Sequence, residues 1–197
     1  MIYPKNFRSN ELTIDDNTFQ NSGSNMSHEE IKNKAVKEFE LLHDKIQSQG
    51  VKITVFNDSR DIDTPDAVFP NNWISFHKNN KAITYPMYAR NRRLERTQLA
   101  IECLNKDDKD ISIEHDYSNF ENDNMFLEGT GSLVLDRLNK LAYCTLSQRS
   151  NEELVNRFCI DMGYNPVVFK SYHLDKPIYH TNVVLSICNK FSKSIKF

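Results

Sequence analysis

Near its C-terminus the chain reads Tyr179-His180-Thr181-Asn182, and a cysteine, Cys188, follows the histidine eight residues on. Histidine changes charge near neutral pH and a cysteine thiolate is a strong nucleophile, so the two have the composition of a covalent-catalysis dyad. Spacing argues against the pairing, because eight residues of straight strand at about 3.3 Å each set the two about 26 Å apart. His180 is therefore read as an acid–base candidate at the mouth of the apolar run that begins at Val183, and Cys188 as a core thiol.

Three further groups could do chemistry. In Pro-Asp-Ala-Val-Phe-Pro-Asn-Asn-Trp, Asp66 and the pair Asn71 and Asn72 flank an apolar triplet; such short polar side chains are commonly turn formers but can also reach a ligand. In Leu-Glu-Gly-Thr-Gly-Ser, Glu128 stands where glycines allow close backbone approach, although a loop carboxylate is more often simply solvated. Arginines cluster from Arg90 to Arg96 and recur at Arg149. Solvation explains most surface arginines, yet a guanidinium is also the group that grips a substrate carboxylate with two parallel hydrogen bonds.

The elements that position these residues repeat. Residues 27–49 open with a capping box, Ser27 and Glu30, and carry Ile31, Ala35, Phe39, Leu42 and Ile46 along one face up to Gly50. Residues 150–162 repeat the pattern with Ser150 and Glu153 as the box, Leu154, Val155, Phe158, Cys159 and Met162 as the stripe, and Gly163 as the stop. Each helix leads into a glycine-led, β-rich run, beginning at Gly50 and Gly163, then a proline-containing loop and another apolar strand. A looser copy has a helix at about 91–104, a strand around Ile111–His115 and then the Glu128 loop. About three helix-plus-strands modules in an α/β arrangement are predicted, and repeated modules favour a pseudo-symmetric ring over an open sheet. No GxGxxG or GxxxxGK[ST] fingerprint occurs and the chain holds only five glycines, which argues against a doubly wound nucleotide-binding fold.

Composition narrows the partners. With 25 Lys+Arg against 27 Asp+Glu the net charge is −2, which gives no attraction to nucleic acid or anionic membrane. The apolar runs are too short to span a bilayer and the N-terminus lacks a signal-peptide core, so a cytoplasmic protein is expected. Cys103, Cys144, Cys159 and Cys188 lie far apart within apolar segments and read as reduced, mostly buried thiols, with no metal site expected.

Taken together, the segments Thr64–His77, Asn91–Gln98, Leu127–Arg137, Leu146–Val155 and Tyr179–Ile187 resemble the guanidino-group-modifying (pentein) superfamily, in its amidinotransferase-like citrulline and dimethylarginine hydrolase branch. The resemblance runs to about Cys188. It implies a pentein-type α/β propeller of ββαβ modules, of which residues 1–197 would be a single, incomplete domain of about three modules out of five. The implied ligand is a small guanidino or ureido amino acid such as arginine, methylarginine or citrulline, with no cofactor. Of the family's site positions, the substrate acid falls on Asp66, while Asn71 and Asn72 replace an acidic pair and so favour a neutral ureido group. The orienting acid falls on Glu128, the carboxylate-gripping arginines on Arg92 and Arg149, and the catalytic histidine on His180. Asn182 stands where arginine deiminases have an aspartate.

In such enzymes a cysteine thiolate attacks the central carbon of the amidine or ureido group, and histidine carries the proton to the leaving amine and activates water. None of the four cysteines matches the family's nucleophile, so the chain is expected to be C-terminally truncated and inactive alone. Two alternatives stand beside that of a hydrolase: a non-catalytic remnant or binding module whose unpaired strand edges invite self-association, and one half of a split enzyme.

Overall fold

A computed structural model describes residues 1–14, 17, 26–106, 110–188 and the backbone of 191–194. Asn189, Lys190 and residues 195–197 lie outside these. The described residues form two compact units, one of 1–70, 78–81 and 89–112, the other of 71–77, 82–88 and 113–197.

In the first unit the long helix α1 (His28–Gln47) forms as its capping box requires: Ser27 Oγ accepts from Glu30 N, and the Glu30 carboxylate accepts from Ser27 N at 2.7 Å. Its apolar stripe is only half covered. Phe39 meets the edge of Tyr3 with ring centroids 5.5 Å apart, while Leu42 is exposed. The β-rich run after Gly50 does not become a strand; among the described residues its sole β pairing is a parallel bridge between Phe56 and Ile2. Strand propensity without a partner edge leaves a run extended but unladdered. The helix predicted over 91–104 is likewise divided into α2 (Arg90–Arg93) and α3 (Gln98–Asn105). Thr97 takes an extended backbone and its side chain accepts from Leu99 N, so a new helix is capped where the old one was expected to continue.

The second unit holds the apolar core. Strands β1 (Ile74–Phe76), β2 (Lys81–Thr84) and β3 (Ser112–Asp116) form one sheet, with β1 and β2 antiparallel. A second sheet has β4 (Val134–Asp136) antiparallel to β5 (Leu141–Thr145) and β5 parallel to β6 (Asn165–Phe169). Helix α5 (Glu152–Met162) makes the crossover between β5 and β6. It buries Leu154, Val155, Phe158 and Cys159, as its stripe predicts, against Ile83, Tyr85, Leu127, Leu133 and Cys144. Gly163 closes the helix at φ +66°, a left-handed conformation that glycine adopts without cost. The N-cap is Asn151, whose side chain accepts from Leu154 N, and not Ser150. Ser150 is instead buried, its hydroxyl directed to Ser132.

The order strand, strand, helix, strand thus occurs twice, as β1-β2-(α2, α3)-β3 and β4-β5-α5-β6. The glycines before β4 do not form a simple turn: Gly129–Ser132 make a single helical turn, α4. After α5 come the hairpin β7 (Tyr172–His173)/β8 (Lys176–Pro177), a 3-10 turn Thr181–Val183 and the hairpin β9 (Leu185–Cys188)/β10 (Phe191–Ser194). The segment from His180 to Cys188 is therefore not one straight strand. Cys188 is exposed rather than a core thiol, Cys103 is intermediate, and Cys144 and Cys159 are buried. No described helix is long and apolar enough to cross a membrane.

Candidate functional site

Glu128 is fully buried at the start of α4, and its carboxylate is shared by three donors within the second unit. Oε1 accepts from Tyr88 N at 3.0 Å, and Oε2 lies 2.8 Å from His180 Nε2 and 3.5 Å from Arg149 Nη1. An ionised carboxylate only accepts, so His180 carries a proton on Nε2. Arg149, buried as well, supplies the opposite charge that an enclosed carboxylate needs, and its guanidinium lies 4.7 Å from the centre of the Tyr179 ring. Tyr179 also flanks the imidazole of His180, ring centroids 4.7 Å apart. The result is a buried carboxylate–imidazole–guanidinium cluster able to fix the tautomer of a proton-carrying histidine.

Local backbone explains the two glycines. Gly129 has φ +44°, and a Cβ there would sit 2.5 Å from the carbonyl oxygen of Asn71. A Cβ on Gly131 would lie 2.7 Å from His180 Nδ1 and closer still to Asn72 Nδ2. Only glycine lets this turn fit against Asn71-Asn72 and the imidazole. Asn72 is buried, Asn71 half-buried, and Thr130 Oγ1 donates to Asn71 O at 3.3 Å. Asn182 is exposed on the 3-10 turn that follows His180.

Asp66 and Arg92 lie in the first unit, where the structure brings them to 3.8 Å. Arg92 is gripped more firmly by Glu95, with Nε to Oε1 at 2.9 Å and Nη2 to Oε2 at 3.2 Å, both side chains buried. Asp66 Oδ2 accepts from Asn10 Nδ2 at 2.7 Å, and Asn10 exchanges amide hydrogen bonds with Asn91. Glu95 and Asn10 were missed from sequence. The i, i+3 spacing of Arg92 and Glu95 is a signal that could have found the first; Asn10 is fifty-six residues from Asp66 and offers none.

The thiols are poor nucleophiles where they are buried. Burial pushes Cys144 up to about 12 and Cys159 up to about 11. Among the described residues no three His, Cys, Asp or Glu side chains gather as a metal site would need.

The family described as N,N dimethylarginine dimethylhydrolase, eukaryotic, matches residues 3–193. The chain belongs to this family. No curated protein matches it. Among solved structures, the substrate-bound N-terminal domain of ArgZ, an arginine dihydrolase of the ornithine–ammonia cycle in cyanobacteria, is similar over 98% of this chain and 64% of that one, at 14% identity and TM-score 0.67. AgrE in complex with L-arginine gives TM-score 0.67 at 14% identity, covering 98% of this chain and 26% of that one. A dimethylarginine dimethylaminohydrolase carrying a 4-chloro-2-hydroxymethylpyridine adduct gives 0.57 at 19% identity, covering 81% and 58%. These likenesses establish a shared α/β fold. The chain spans less than two thirds of the length of each of these three structures.

Proposed function

We propose that the chain carries the substrate-orienting and proton-carrying part of a Cys–His hydrolase acting on the guanidino or ureido group of an arginine-like amino acid. The observation that carries this reading is the buried 2.8 Å contact of His180 Nε2 with Glu128 Oε2, backed by Arg149. Family membership and the arginine- and methylarginine-directed names of the similar structures support the substrate class. In this reading Glu128 orients the substrate nitrogens and holds the imidazole, and His180 passes the proton to the departing amine. Asp66, Asn71, Asn72, Arg92, Arg149 and Asn182 are the proposed substrate contacts. Arg149 already balances the charge of Glu128, and Asn71 and Asn72 are uncharged, which favours a neutral ureido group such as that of citrulline over a guanidinium cation.

The nucleophile is proposed to come from none of the four cysteines: Cys144 and Cys159 are buried with raised thiols, and neither Cys103 nor Cys188 stands at the position that the resemblance gives the nucleophile. The chain alone then binds without turnover. The two strand-strand-helix-strand runs are proposed to be modules of the pentein-type propeller, with 1–197 belonging to one such domain. Incubation of the purified chain with L-citrulline, L-arginine and dimethylarginine, followed by assay of released ammonia and amine, tests the reading: no product is expected. Sustained release abolished by replacing one of the four cysteines would show the nucleophile to be present and overturn that part.

A further inference from the structure

Three separate segments deliver Glu128, Arg149 and His180, and all three meet at one buried residue that no motif singled out, the first two at its hydroxyl and the third at its carbonyl. Ser132, fully buried at the end of α4, has a hydroxyl whose capacity is completely used. Its Oγ accepts from Glu128 N at 3.1 Å and from Ser150 Oγ at 2.7 Å, and it donates its proton to Arg149 O at 3.1 Å. Its own carbonyl accepts from Thr181 Oγ1, the residue next to His180. Thr181 Oγ1 in turn accepts from Thr145 N at 2.8 Å, which ties the histidine-bearing turn to the end of β5. Apart from the bond from Ser150 Oγ, each of these holds main chain on one side, so the hub fixes where the three side chains start, while Glu128 Oε2 joins their ends.

We infer that Ser132 is the positioning residue of the Glu128–Arg149–His180 cluster, setting the distance between carboxylate and imidazole without touching substrate. Its catalytic meaning rests on the function proposed above; the geometry itself does not. Replacing the hydroxyl by hydrogen removes one acceptor from Glu128 N, which keeps its bond to Arg149 O, and strips Ser150 Oγ of an acceptor, which loosens the segments relative to one another.

The readout is the His180 Nε2–H proton, which is enclosed and hydrogen-bonded to a carboxylate and so gives a low-field, slowly exchanging NMR signal, assigned by its loss in His180→Gln. Its exchange is compared in wild type, Ser132→Ala, Ser132→Cys and Ser75→Ala, with thermal unfolding as a check on each. Ser75 is the control: a buried serine of the same unit, bonded to Tyr85 and His77. Ser132→Ala is expected to speed exchange about tenfold. Ser132→Cys, which keeps the volume but donates weakly, should fall between it and wild type, and Ser75→Ala should match wild type. If Ser132→Ala does not fold, Ser132→Cys decides. Wild-type exchange in the folded Ser132 variants, or equal loosening by Ser75→Ala, overturns the inference. Dependence on Ser132 with no response of the signal to L-arginine or L-citrulline would remove the proposed function and leave the positioning role standing.

Discussion

A carboxylate enclosed in protein keeps its charge only when donors and a counter-charge surround it, and Glu128 has Tyr88 N, His180 and Arg149 for that purpose. Replacing it with the isosteric amide removes the negative charge that faces the buried guanidinium of Arg149. Glu128→Gln is therefore expected to lower the unfolding free energy by about 3 kcal/mol, read from denaturant titration; an unchanged midpoint would mean that the pair is solvated. Gly131→Ala drives a methyl group into His180 and Asn72, and should cost about 1–3 kcal/mol and displace the imidazole. Glu128, Arg149 and His180 were legible in the sequence because each stands in a distinctive local motif beside glycine, helix start or strand mouth. Asn10 and Ser132 were not, because what marks them is tertiary hydrogen bonding and not a pattern of neighbours, whereas Glu95 carried a local mark in its i, i+3 spacing from Arg92.

At the scale of elements, capping separates two neighbouring residues that sequence reading confused. Asn151→Ala removes the bond to Leu154 N and should destabilise the chain by about 1 kcal/mol through α5. Ser150→Ala leaves that cap intact and acts at Ser132 instead, so its effect should appear in His180 N–H exchange. Equal helix destabilisation by both variants, read from amide exchange along α5, would contradict the assignment. The long amphipathic stripes of α1 and α5 were readable because helical periodicity is a local property. The division of α2 from α3 and the loss of the strand after Gly50 were not. The first depends on Thr97 winning a cap and the second on a partner edge, neither of which periodicity encodes.

For the whole molecule, pH stability should carry the mark of His77. Burial lowers its affinity for a proton and nearby Arg137 adds to this, with His115 acting in the same sense and Glu114 opposing. The unfolded chain then takes up the proton first, so stability is lost as pH falls below the ordinary histidine value of 6.5. His77→Gln should flatten the change in unfolding free energy between about pH 7.5 and about pH 5.5; an unaltered slope would assign it elsewhere. Carboxylates held low by arginine, Asp58 and Asp63 among them, act only in more acid solution, below their ordinary 3.8. The α/β class was legible in the alternation of helices and strands, whereas the division into two compact units was not, because its boundaries cut across the predicted modules. Whether Glu128, Arg149 and His180 handle an arginine-like ligand is decided by equilibrium binding of L-citrulline and L-arginine to the chain and to His180→Gln. Saturable binding is expected, weakened about tenfold or more by the substitution; equal binding by both proteins, or binding by neither, would show that these residues do not hold such a ligand.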